Sequence, residues 1–260
     1  MISLDLASLF LLCAAFGAGL IDAVAGGGGL IQVPALFTVN PTAEPATLLG
    51  TNKLASVGGT AIAAKKYLKS VNLPYVLLTP CMILSFAGAL FGAWVVKGVS
   101  VGFFKIILPI ILLLLLFYTV FQPTLGQLHR PSKLTSFKIF QGSLFGGLVG
   151  FYDGFFGPGT GSFLLLGFIQ VFGFDFLHAS AATKLVNATT NFAAILLFAS
   201  FNHINWALGL TMMGLNILGS YVGTHLALSR GNGFIRKIFI LVVLCLTLKT
   251  ATDAFNYLQL

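Results

Sequence analysis

Two short stretches of this 260-residue chain carry residue types from which an anion site can be built. One reads Asp22-Ala-Val-Ala-Gly26-Gly27-Gly28-Gly29-Leu-Ile-Gln32-Val-Pro34, the other Asp153-Gly-Phe-Phe-Gly157-Pro158-Gly159-Thr160-Gly161-Ser162. Four glycines in a row, or Gly-Pro-Gly-Thr-Gly, break a helix, because each Gly costs up to about 1 kcal/mol and Pro about 3. The freed N–H groups, followed by a new helix start at Leu30 or Ser162, form a nest of positive partial charge suited to a small anion. Close helix packing is the other use such glycines find in membranes.

A second pair of stretches is Gly50-Thr51-Asn52-Lys53-Leu54-Ala55-Ser56 and Ala181-Ala182-Thr183-Lys184-Leu185-Val186-Asn187. Each Lys follows an acidic residue, Glu44 or Asp175, by nine positions, which is ~13 Å along a helix. A Lys that deep in hydrocarbon costs about 2.5–3.5 kcal/mol or more, so it faces a partner or a wet cavity. Two roles fit: fixed ion pairs, Asp22 with Lys53 and Asp153 with Lys184, or direct ligation of substrate. They are compatible if the carboxylate yields the Lys to substrate during a cycle. Thr51, Ser56 and Asn191 add donors, Asn191 one turn past Asn187. The candidate binding residues are Gly26, Gly27, Gly28, Asn52, Lys53, Gly157, Gly159, Thr160, Gly161, Thr183, Lys184 and Asn187, with Asp22 and Asp153 as charge-pair or coupling residues.

The elements that position these residues follow from composition. Hydrophobic residues are 57% of the chain and charged ones 8%, against about 25% charged in a soluble domain. So few polar groups cannot cover a globule in water, and the outer surface must face lipid. Charge-free stretches cover residues 6–21, 23–43, 70–96, 106–127, 139–152, 154–174 and 185–229, the last long enough for two crossings. Breakers at Pro41, Pro45, Pro74, Gly98, Pro123, Pro131 and Gly231 divide the chain into eight helical zones, and lipid excludes open strands. The expected fold is an all-α integral membrane bundle of seven to nine elements, some broken or re-entrant at the glycine-rich stretches.

Sliding the chain against itself gives a register shift of 131 residues without a gap from Gly19 to Ile107. It pairs Asp22 with Asp153, Gly26 with Gly157, Gly28 with Gly159, Lys53 with Lys184, Gly88 with Gly219 and Gly92 with Gly223. The expected organisation is a first membrane repeat over 1–121, a basic cytoplasmic joining loop over 122–138 and a second repeat over 139–260, about four helical elements in each repeat. If each glycine-rich zone returns to its starting side, each repeat crosses three times and the second is inverted. Lys65, Lys66, Lys69, Arg130, Lys133, Lys138, Arg230, Arg236 and Lys237 then share one side against Lys97, Lys105 and Lys249. A single crossing gives parallel repeats and a weaker bias, so the positive-inside rule favours inversion with basic loops in the cytoplasm.

Other classes lack their residues. The basic pI of 9.6 comes from loop residues between apolar runs rather than a nucleic-acid-binding face. Cys13, Cys81 and Cys245 lie in apolar stretches with no C-x-x-C, and His129, His178, His203 and His225 are scattered, so neither a metal set nor a cofactor is expected. There is no G-x-x-x-x-G-K-[ST] loop and no acid–base or nucleophile set, so no enzyme is expected. The first residues show neither a basic signal region nor a lipid-anchor site. Gly88-x-x-x-Gly92 and Gly219-x-x-x-Gly223 serve close helix packing, within a subunit or across a homodimer.

On these phrases, namely G-x-I-D-A-V-A-G-G-G-G-L-I-Q-V-P, G-T-N-K-L-A-S, D-G-F-F-G-P-G-T-G-S-F and A-T-K-L-V-N, the chain resembles the sulfite exporter TauE/SafE family, also called the toluene sulfonate uptake permeases, over essentially its whole length. The resemblance implies a multi-pass carrier of the cytoplasmic membrane for sulfite, sulfoacetate or related sulfonates, often coupled to an ion gradient, with a proton as the expected coupling ion. Thr183 stands in the second copy where the first has Asn52, so the two half-sites are not identical. The function expected is secondary transport of a small anion by alternating access. An anion channel and a carrier of other organic anions such as carboxylates are the alternatives.

Overall fold

The chain, as a computed structural model, describes residues 6–40, 42–96, 110, 113–114, 117, 128–131, 133 and 135–258. Most of the apolar stretch 106–127, Lys97, Lys105, the boundary at residues 121 and 122 and the side chains of Arg236 and Lys249 lie outside the described residues.

Eight helices and no strand are found among the described residues. They are α1 (Leu6–Ala25), α2 (Gly29–Val39), α3 (Pro45–Leu68), α4 (Tyr75–Val95), α5 (Ser136–Phe155), α6 (Thr160–Phe172), α7 (Phe176–Ser200) and α8 (Trp206–Leu258). Local chemistry sets their ends. Pro45 opens α3 behind an extended Glu44, where its missing N–H costs nothing. The Asp175 carboxylate accepts from the His178 amide to cap α7 at 2.8 Å. Gly231, at φ 70°, interrupts α8, which is therefore two helices across a kink.

Helices α1, α4 and α7 are long and apolar enough to cross a membrane. Helices α2 and α6 have 11 and 13 residues, ~16 and ~20 Å, too short for a hydrocarbon core of ~30 Å. Large apolar side chains such as Phe91, Trp94, Leu148, Leu196 and Leu218 are exposed on the outside of the bundle, as a lipid-facing surface requires.

Adding 131 to the first residue of α2, α3 and α4 gives the first residue of α6, α7 and α8, and α1 and α5 agree within one residue. Packing follows the same shift. Gly88 lies on Gly147 and Gly92 on Phe151, joining α4 to α5, while Gly219 lies on Phe16 and Gly223 on Leu20, joining α8 to α1. At each of these glycines a Cβ would enter the neighbour's backbone, so both small-residue stripes are used inside the subunit.

The ends of α3 and α7 give their directions. Glu44, just before α3, sits 3.2 Å from His203, just after α7. Asn72, just after α3, lines one cavity with Phe174, just before α7. The two Lys-bearing helices therefore run in opposite directions although the shift makes them counterparts.

Candidate functional site

The glycine-rich zones are hairpins. Phe10, Cys13 and Ala14 of α1 face Pro34, Ala35 and Thr38 of α2, so the chain turns back towards its starting end. The second hairpin closes in the same way, with Gly142 of α5 against Phe172 of α6 and Phe145 against Gly167. Lys138 Nζ also donates to the Val171 carbonyl at 2.9 Å. Of the two sequence possibilities, single crossing or return, the return is found.

The two tips meet inside the bundle. Gly26, at φ +77°, lies against the backbone of Gly161, and a Cβ at either would clash with the other. Ser162 Oγ donates to the Ala25 carbonyl at 3.0 Å, tying one tip to the other. Tyr152 Oη donates to Pro158 O at 2.6 Å and Thr160 Oγ1 to Gly157 O at 2.7 Å, which fixes the second break. The amides of Gly27, Gly28 and Gly159 donate to no backbone carbonyl among the described residues.

Both lysines are buried at this meeting point, Lys53 at 2% and Lys184 at 1% exposure. Lys53 Nζ is 2.7 Å from Asp153 Oδ1, and Lys184 Nζ is 2.8 Å from Asp22 Oδ2. The pairing expected from sequence, Asp22 with Lys53 and Asp153 with Lys184, is therefore corrected: each Lys takes the Asp of the opposite half. The reason is tertiary, because each tip crosses to the other half's long helix. Sequence spacing is the same for either pairing. Gly157, at φ +93°, leaves room for this contact, since a Cβ there would stand 2.8 Å from Lys53 Nζ.

Between the pairs lies a cavity of about 20 Å³, room for roughly one water. Of the candidate residues, Asp22, Gly26, Asn52, Lys53, Asp153, Gly157, Gly161 and Asn187 line it. Gly27, Gly28, Gly159, Thr160, Thr183 and Lys184 are not on its wall. Lys184 reaches the site through Asp22, and the Thr160 hydroxyl is spent on Gly157. Ser56 and Asn191, the neighbouring donors named from sequence, are also on the wall, which adds Gly29 and Thr60. The signal for Thr60 was the spacing Asn52, Ser56, Thr60, a polar ladder at every fourth residue of one helix face.

The formal charges of Lys53, Lys184, Asp22 and Asp153 cancel, so the cavity is polar but neutral rather than the net positive cradle that two lysines alone would make. Asn52 Oδ1, Asp153 Oδ2 and Thr183 Oγ1 are buried with no hydrogen-bond partner among the described residues. Orphaned polar atoms of this kind mark a place that water or a ligand completes.

A second cluster lies near the start of α7. His129, from the joining segment, stacks on His178 with ring centroids 3.8 Å apart, and Asp175 Oδ1 is 2.8 Å from His178 Nδ1. Burial and the neighbouring His178 hold the His129 imidazole below its ordinary pKa, partly opposed by Asp175. Histidines that were scattered in the sequence are thus neighbours in the fold.

Comparison with known proteins finds a family and several relatives. The family model described as "Sulfite exporter TauE/SafE" matches residues 11–250. A "Probable membrane transporter protein" of Haemophilus influenzae is 38% identical over 254 residues, 97% of each chain. A "Probable membrane transporter protein ORF9" of a Sinorhizobium species is 37% identical over 96% of this chain and 95% of its own. The "Probable membrane transporter protein YfcA" of Escherichia coli K12 is 37% identical over 91% and 87%. No solved structure matches.

Proposed function

This chain belongs to the sulfite exporter TauE/SafE family, a family of membrane transporters rather than enzymes, and on that premise we propose that it is a secondary carrier of small anions. Sulfite or a related sulfur oxyanion or organosulfonate is the first substrate class. Two membrane repeats, 1–121 and 139–260, rock against each other about the meeting point of the hairpin tips. The opposed directions of α3 and α7 support inversion of the second repeat.

The observation that carries the reading is the pair of crossed Lys–Asp bridges beside glycine amides without backbone partners. An anion entering the cavity competes with Asp153 for Lys53 and draws on the amides of the breaks. The cavity admits about one water, so the pairs must part for a substrate to enter. A proton on the displaced carboxylate would keep the site neutral, which makes the proton the natural coupling ion. Lys65, Lys66, Lys69, Arg130, Lys133, Lys138 and Arg230 support a cytoplasmic reading of that end of the bundle, in the cytoplasmic membrane, by the positive-inside rule.

The test is flux into proteoliposomes of sulfite, sulfate, thiosulfate and a short sulfonate, with and without an imposed pH gradient. Saturable uptake of a sulfur anion that follows the gradient is expected. Conductance far above carrier turnover would make the protein a channel, and no flux of any of the four from folded protein would move the search to carboxylates.

A further inference from the structure

The cluster of His129, Asp175 and His178 lies outside the transport site, and its donor atoms lie within 4.8 Å of one another. We propose that it binds a borderline divalent transition metal of the zinc, cobalt or nickel class, clamping the segment that joins the two halves to the start of α7. Three observations converge on this. The donors are two imidazoles and a carboxylate, a set suited to such ions and poor for magnesium or calcium. They come from two segments 46 residues apart, held together by a backbone bond from the Arg130 amide to Gly173 O at 2.9 Å. His129 also borders a cavity of about 340 Å³ between Asn72, Pro74 and Phe174, which gives an ion a path of entry.

The stacked rings set what must move. Their planes differ by 22°, so both cannot aim lone pairs at one point as they stand. His178 is held by Asp175 at 2.8 Å, whereas His129 is exposed and its Nδ1 only accepts from the Asp175 amide at 3.5 Å. His129 is therefore the ligand that turns, and the pair His178–Asp175 is the preformed part. Asp175 leaves the occupied site with one net positive charge, and Arg130 is its neighbour. That keeps the affinity below that of a closed structural zinc site.

The test uses the purified full-length protein in detergent, without a polyhistidine tag, titrated with Co²⁺ and followed by its visible absorption, then with Zn²⁺ in competition. One equivalent is expected to bind. His129→Ala, on an exposed segment, should weaken binding by at least ~10-fold, the loss that even an outer-shell partner brings, while the His203→Ala/His225→Ala double variant keeps it. His178→Ala should do the same as His129→Ala, its fold checked by melting temperature. No stoichiometric binding by the unmodified protein, or unchanged affinity in His129→Ala, would overturn the proposal. These readouts need no transport and stand or fall apart from the carrier reading.

Discussion

Lys53 and Lys184 carry the same burden twice, since each is a buried cation made tolerable by one carboxylate. That they sat within the bundle was legible from sequence, because a Lys flanked by long apolar runs has few other places to be. Which Asp each would meet was not, because both pairings satisfy the same composition and spacing. The structure also changes what a mutation means. Lys53→Met leaves Asp153, 1% exposed, without its partner, and should destabilise the protein by about 3–5 kcal/mol. The double change Lys53→Met/Asp153→Leu removes both charges and should recover most of that loss in a thermal melt, yet restore no anion flux. Recovery of flux in the double variant would show the bridge to be mere structure.

At the scale of elements, the sequence announced two helix breaks, and the structure adds that the chain turns back at each. Eleven residues of α2 and thirteen of α6 could equally have completed a broken span; what decides is tertiary, since Phe10 and Ala14 of α1 line one cavity with Ala35 and Thr38 of α2. The glycines are not equal in this respect. Gly26 has φ +77° and touches Gly161, whereas Gly17 and Gly214 have nothing within 4 Å. Gly26→Ala should cost about 1–2 kcal/mol for the left-handed backbone plus about 1–3 for overpacking, read as a lowered melting temperature. Gly214→Ala, in a helix and with open space, should melt no lower than the unmodified protein.

For the whole molecule, the shift of 131 residues was the most informative line in the sequence. The helix starts obey it, and so does the packing of α4 on α5 and of α8 on α1. It could not reveal direction, which came from Glu44 beside His203 at one end and Asn72 beside Phe174 at the other. Nor could it show His129 reaching His178, because the joining segment has no counterpart in the repeat. Inverted repeats with a cytoplasmic basic end predict a labelling pattern. Single cysteines introduced at Lys69 and Arg130, in a variant lacking Cys13, Cys81 and Cys245, should react only with reagent supplied from inside. One at His203 should react only from outside. Reaction of Arg130→Cys from outside would reverse the orientation.

The crossed bridges also have a history within the life of each molecule. When the ribosome has delivered only the first half to the membrane, Asp22 and Lys53 are present and Asp153 and Lys184 are not. Each charge then costs ~2.5–3.5 kcal/mol in hydrocarbon until its partner from the second half arrives. Arrival of the second half brings a like pair in the same position. Neither bridge can close until both halves are present, because each takes its Lys from one half and its Asp from the other. Each half therefore carries charges that only the other half neutralises in the finished fold, and closing the two bridges is what joins the halves into one protein.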